Sequence, residues 1–191
     1  MGYAIAKAAL DAGHDVILIS GPVSLQSPRG AKLVSVSTSD EMFDAVHRDA
    51  GKCDICVLCA AVADYKPVNV SPTKIKKRGT TFSLELIPTR DILYSLGHKP
   101  DRQFVLVGFA AETDHVEENA AKKLRAKNCD IIVANDVSGA DSGMESDANE
   151  VIILFRNGEK KKISRASKKI IARELVKILI NSREKCLTKK M

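Results

Sequence analysis

Four short segments of this 191-residue chain combine small residues with carboxylates, amides or cations, the mixture that a site for an anionic ligand needs. They are Ala60-Ala61-Val62-Ala63-Asp64-Tyr65, Thr89-Arg90-Asp91-Ile92-Leu93, Gly108-Phe109-Ala110-Ala111-Glu112-Thr113 and Ala134-Asn135-Asp136-Val137-Ser138. Glycine and alanine let backbone approach a ligand closely, and the polar groups supply direction. Each segment follows an apolar run. Read singly, each is an ordinary turn from strand to helix. Parallel strands would bring all four to one edge, beyond the carboxyl ends where open α/β sheets bind ligands.

Cations complete the picture. Lys74-Ile75-Lys76-Lys77-Arg78 carries four positive charges in five residues, which reads either as an ordinary basic loop or as a lid closing over a triphosphate. Downstream, Asp114 and Glu117 are spaced as a capping box for a helix. At about 100° per residue its buried arc is Val116, Ala120 and Leu124, and Lys123 and Lys127 fall within or beside that arc. Such inward lysines either snorkel past the sheet edge or reach a ligand.

Cys53, Cys56 and Cys59 mimic a metal motif. In a strand, Cys56 points away from the other two, which lie about 20 Å apart, so buried small hydrophobes are the better reading. His14, His47, His98 and His115 have no evident catalytic partner, and no Ser/His/Asp or Cys/His constellation stands out.

These groups need a scaffold, and the chain alternates apolar strands with helical patterns. Helices are expected over 2–12, 39–49, 91–96, 115–127 and 167–181, and strands over 15–20, 32–36, 54–59, 82–87, 104–107 and 130–134. Two further strands, 151–155 and 160–163, flank Asn157-Gly158, a strong hairpin signal. The architecture expected is a doubly wound, mostly parallel, Rossmann-like α/β sheet with a C-terminal antiparallel hairpin. One domain spans 1–181, with 182–191 as a tail. The chain opens on a helix with no strand or glycine-rich turn before it, which reads as a missing start.

A net charge of +6 favours anionic partners, and the absence of tryptophan leaves few stacking platforms for nucleic acid. No apolar run approaches the ~18 residues of a membrane span, and no signal peptide is evident, so the expected compartment is the cytoplasm, with no membrane and no nucleic acid as partners.

Cys-Ala-Ala-Val-Ala-Asp-Tyr (59–65), Lys-Ile-Lys-Lys (74–77), Gly-Phe-Ala-Ala-Glu-Thr (108–113) and Ala-Asn-Asp-Val-Ser (134–138), in that order, resemble the signature segments of phosphopantothenate–cysteine ligases. The type resembled is the bacterial one, fused behind a flavin-dependent decarboxylase and using CTP. The resemblance implies two steps through an acyl-cytidylate, with CTP as co-substrate, Mg²⁺ carried mainly by phosphates and waters, and no protein nucleophile. It also implies a homodimer and a flavin-dependent phosphopantothenoylcysteine decarboxylase as partner. Carried over by position, Leu58, Cys59, Ala60 and Asp64 correspond to cytosine-nucleotide contacts, and Lys74 to the lysine of the first half-reaction. Arg90, Asp91, Ile92, Leu93 and Phe109 correspond to further nucleotide contacts, and Lys123 and Lys127 to the two helix lysines; Asp64 and Asp91 are candidate metal carboxylates. The chain departs from the pattern at Arg90, where proline is common, and at Met144, where phenylalanine is. The asparagine that holds the acyl-cytidylate belongs to the absent glycine-rich segment, so impaired turnover is expected of this chain.

Two rivals remain. A nicotinamide or flavin oxidoreductase would place Asp or Glu at the end of its second strand to hold ribose, where this chain has Ile19-Ser20-Gly21-Pro22. A basic nucleic-acid-binding module would bind random DNA with steep salt dependence.

Overall fold

Apolar runs too short for helices form a five-stranded sheet in a computed structural model, which describes residues 1–77, 79, 81–112, 114–136 and 148–188. Arg78, Thr113, Val137, Ser138 and Met144, and residues 189–191, lie outside the described residues. The sheet runs β3 (Ile55–Leu58), β6 (Val105–Glu112), β7 (Ile131–Asp136), β8 (Ala148–Phe155), β9 (Lys160–Ser167). The first three are parallel, and β8 and β9 form the expected antiparallel hairpin, with Gly158 at φ +87° in its turn. Burial on both faces explains the continuous Val/Ile/Leu runs. Among the described residues, a separate parallel pair, β1 (Ile17–Ser20) and β2 (Lys32–Ser35), shares no strand hydrogen bonds with this sheet, and β1 and β3 each keep an edge that no described strand pairs.

Two helical layers cover the sheet. Helices α2 (Ser39–Ala50), α3 (Ile92–Gly97) and α4 (Val116–Ala126) pack through Met42, Leu96 and Ala120 onto Leu106 and Ile132. Helices α1 (Gly2–Asp11) and α5 (Lys168–Thr188) cover the other face, burying Ile5, Ile171 and Leu175 against Val107 and Val133. Each fully buried Leu or Ile contributes about 1.5–3 kcal/mol, and Leu96, Leu106, Ile132, Ile171 and Leu175 are all at 0% exposure. The fold class expected from the sequence is the one found.

Several element boundaries differ from expectation for physical reasons. Gly108 through Glu112 is strand rather than turn, because β6 pairs with β7 as far as Glu112 opposite Asp136. A Cβ at Gly108 would come within 2.7 Å of Leu93 and Ile132, so glycine makes the seat on which α3 packs. Asp114 does not cap α4; His115, at φ 43°, occupies that position without a side-chain cap bond. Thr38 rather than Ser39 caps α2, its Oγ1 accepting from the Glu41 amide. Helix α5 continues past 181, where the tail was expected, and its Arg183 bonds Asp54 at 3.0 Å.

The largest difference is the strand expected over 82–87. Only Leu86–Pro88 (β5) is strand, and it pairs antiparallel with β4 (Tyr65–Pro67) in an arm outside the main sheet. Phe82 and Leu84 are exposed there. Alternation along the sequence signals a strand but does not say which sheet receives it.

Candidate functional site

Leu58 stands opposite Gly108 where β3 meets β6. The chain then leaves the sheet through half-buried Cys59 and exposed Ala60. The start of α1 lies beside this exit: a methyl on Gly2 would sit 3.8 Å from the Cys59 Cβ, and the Tyr3 hydroxyl donates to Ser20 Oγ at 2.9 Å. Burial pushes the Cys59 thiol up, and it drives Cys56 and Cys129 to about 12. None of these is a thiolate nucleophile near neutral pH. Phe109 is half-buried on the α1/α5 face.

Three stretches distant in sequence meet at residues 89–93. Thr89 donates its amide to the Asp64 carbonyl at 2.8 Å and its hydroxyl to the Ala63 carbonyl at 2.7 Å. Asp91 caps α3 by accepting the Tyr94 amide at 2.8 Å, and its carboxylate pairs with Lys127 of the α4 terminus. Partial burial opposes ionisation of Asp91, yet Lys127, the Tyr94 amide and the field of Lys123 together hold its carboxyl below the usual range. Close packing fixes this contact, since any Cβ at Gly97 would lie 1.8 Å from the Lys127 carbonyl oxygen. The Lys127 ammonium also sits 5.8 Å from the Tyr94 ring centre, and that ring stacks on His98. Ile92 is buried and Leu93 packs over Gly108, so both build the wall behind this junction.

Arg90 turns the other way. Its guanidinium pairs with Asp40 at 3.1 Å and Asp44 at 2.9 Å and lies 3.9 Å over the Phe43 ring. Lys66 of β4 also pairs with Asp40. Lys66 most strongly holds the Asp40 carboxyl below its usual range, with Arg90 adding to it against the opposing effect of burial. The first turn of α2 thus clamps both ends of the arm.

The side chains of Asp64 and Lys74 are exposed. Among the described residues, no recorded hydrogen bond or ion pair involves the Lys74 ammonium. The structure therefore joins Asp91, Ile92, Leu93, Lys123, Lys127 and the Asp64 backbone around residues 89–93, turns Arg90 onto α2, places Leu58, Cys59 and Ala60 where the chain leaves β3, puts Phe109 within β6 rather than beyond its end, and leaves Lys74 on the arm. Among the described residues no cluster of three or more His, Cys, Asp or Glu is placed to hold a metal. Asp64 and Asp91 are both exposed, but Asp91 is committed to Lys127, and these two donors do not make a cage for Mg²⁺.

Three features escaped sequence reading. Asp40 and Asp44 read as solvated helix residues, with nothing local to signal the clamp. Asn135, quoted within its motif but given no role, carries a buried side-chain oxygen without a partner; so does Asn149. For Asn135 the signal was a polar residue continuing an apolar run. A groove of about 370 Å³ between α1 and α5, lined by Lys7, Asp11, Lys169 and Arg173 among others, contains none of the residues singled out from the sequence.

Comparison with known proteins agrees with this architecture. Residues 1–182 match the family model described as DNA/pantothenate metabolism flavoprotein C-terminal domain. The coenzyme A biosynthesis bifunctional protein CoaBC of Bacillus subtilis (strain 168) is 46% identical over 177 residues, covering 92% of this chain and 43% of that protein. This chain thus spans less than half the length of that curated relative. The crystal structure of the C-terminal domain of a coenzyme A biosynthesis bifunctional protein CoaBC aligns with a TM-score of 0.80 at 38% identity, covering 96% of this chain and 82% of that one. The Cab2 mutant H337A in complex with phosphopantothenate-cysteine aligns at 0.73 with 17% identity, over 98% of this chain and 78% of that one, a likeness of fold.

Proposed function

We propose a function from one premise: this chain belongs to the DNA/pantothenate metabolism flavoprotein C-terminal domain family. On that footing it joins 4′-phosphopantothenate to L-cysteine in coenzyme A biosynthesis, consuming CTP. The substrate carboxylate attacks the α-phosphate of CTP, the bond to the β-phosphate breaks, and pyrophosphate leaves. The cysteine amine then attacks the acyl carbon of the acyl-cytidylate; a C–N bond forms, the C–O bond to CMP breaks, and an amine proton passes to solvent. Neither step needs a nucleophile from the protein, in keeping with thiols that burial keeps protonated.

The observation that supports this reading is the junction at residues 89–93, where Asp91 pairs with Lys127, lies in the field of Lys123, and follows Thr89, which is held by the Asp64 carbonyl. Cations fixed by packing cost no reorganisation when phosphoryl charge develops, and positioning supplies the rest of the rate. Lys74 would arrive from the arm and contact the triphosphate only in the closed state. Mg²⁺ would come bound to that triphosphate, with Asp64 the candidate carboxylate that no described lysine engages.

The same reading makes the protein a homodimer. Tyr65, Val70, Ile75, Phe82, Leu84, Leu86 and Ile87 are exposed on and around the arm, and an apolar surface of this kind marks an interaction site. A flavin-dependent phosphopantothenoylcysteine decarboxylase is its partner in sequence, acting on the product.

Pyrophosphate release with CTP and 4′-phosphopantothenate, followed by CMP release on adding cysteine, tests the proposal. Lys74→Ala should slow pyrophosphate release on the order of a hundredfold while leaving the thermal midpoint unchanged, because the wild-type side chain is exposed. Failure of phosphopantothenate to elicit pyrophosphate from CTP, both in this chain and in a form carrying a relative's strand and glycine-rich segment ahead of residue 1, would reject the reading.

A further inference from the structure

One carboxylate caps a helix and holds a lysine of the next helix at the same time. The Asp91 Oδ1 accepts the Tyr94 amide at 2.8 Å and so fixes the start of α3, while its Oδ2 pairs with the Lys127 ammonium. The two partners are not equally free. The cap bond holds the carboxylate in place. The Lys127 backbone is fixed too, packed against Gly97 and followed by Asn128, whose amide nitrogen donates to the Gly97 carbonyl at 2.7 Å. The ammonium, however, stands at the end of a flexible four-carbon stem. Lysine is therefore the member that can change partner. It can also be reached, since the Lys127 side chain is 28% exposed and that of Asp91 45%.

Charge explains why the pair forms. Lys123 lies one turn before Lys127, both are half-buried, and like charges at this spacing repel. Among the described residues no hydrogen bond or ion pair involves the Lys123 ammonium, and its field falls on Asp91 as that of Lys127 does. A single carboxylate thus serves two cations. Magnitudes then decide what an incoming polyanion does. An ion pair as exposed as this one is worth no more than about a fivefold factor. A triphosphate brings several charges and accepts charge-assisted bonds roughly twice as strong as neutral ones, so it outcompetes one carboxylate for the ammonium.

We propose that Asp91 is a displaceable counter-ion, which holds Lys127 while the site is empty and surrenders it to a phosphoryl group of the incoming nucleoside triphosphate. This rests on the ligase reading above and gives Asp91 a positioning role in that site. Every anion that uses Lys127 must first break the same contact, so the pair lowers affinity in the ground state. In return it keeps two neighbouring cations from splaying before the ligand arrives. The exchange moves one side chain and leaves the packed backbone of the junction where it is.

Asp91→Asn tests this, because asparagine caps a helix as well as aspartate does but offers the ammonium no charge. Calorimetric titration of the full chain with CTP and Mg²⁺ should give a dissociation constant about fivefold lower in the variant. Asp91→Ser, which also keeps a capping oxygen, should match it. Cytidine, without phosphates, should gain nothing from either substitution. In a Lys127→Met background the gain from Asp91→Asn should fall to about twofold or less, because only repulsion between Asp91 and phosphate is left to relieve. Unchanged or weaker CTP binding in both Asp91 variants, the same gain for cytidine, or an undiminished gain beside Lys127→Met would overturn the counter-ion role. Failure of the ligase reading would appear differently, as CTP binding that responds to Asp91→Asn without any pyrophosphate release on adding 4′-phosphopantothenate. CTP binding absent from wild type and variants alike would overturn both.

Discussion

The central strands and the arm are written in a similar alphabet and end in opposite situations. Leu106, Val107, Ile132 and Val133 have no exposure at all, whereas Phe82 is 67% exposed, Leu84 54% and Val70 80%. The difference is the second layer. Strands β6 and β7 have helices on both faces, while β4 and β5 pair only with each other and are held at their base by Lys66 and Arg90 on Asp40. A two-stranded ribbon is marginal by itself, so the arm needs a cover that the core does not, and a region awaiting its cover is suited to move over a ligand.

The sharpest way to break this comparison is to truncate one side chain in each region. Ile132→Ala should cost roughly 2–5 kcal/mol through the cavity it leaves, and Leu84→Ala no more than about 0.5 kcal/mol. Denaturant unfolding monitored by circular dichroism measures both, and equal costs would show that the arm is packed as a core. A smaller effect is expected from making the arm polar. If the dimer proposed above forms through the arm, Phe82→Ser with Leu84→Lys should leave the chain folded but shift its mass from dimer to monomer in sedimentation equilibrium. An unchanged mass would move the dimer interface elsewhere.

The smallest effect concerns the clamp. Because the Asp40 carboxyl is depressed in the fold, its contribution is present above the unfolded value of about 4 and lost as pH falls through the folded value. Proteolysis within 68–85 should therefore accelerate below that value in wild type. In Asp40→Asn it should already be fast at neutral pH. A pH-independent cleavage rate in wild type would remove the clamp from the account.

Periodicity and turn chemistry made most of the scaffold legible. Every main-sheet strand and every helix overlaps the span its pattern predicted, with several ends shifted, and Asn157-Gly158 identified the hairpin. Gly108 to Glu112 was misread because small residues look like a turn until a neighbouring strand pairs with them, and Gly108 is small to seat Leu93 rather than to bend. Of the candidate site, Asp64, Asp91, Lys123 and Lys127 were legible as individual residues. Their meeting was not, since it depends on where a six-residue helix docks.

The amino-acid sequence by itself determined the layered α/β class, the family and the residue types available for phosphate chemistry, because these follow from local pattern and motif order. Only the tertiary structure decided that Arg90 faces α2, that Lys127 sits on Asp91, that the arm stands outside the sheet and that two asparagine oxygens are buried unpaired. Those outcomes are contacts between residues dozens of positions apart, set by packing that no local window contains.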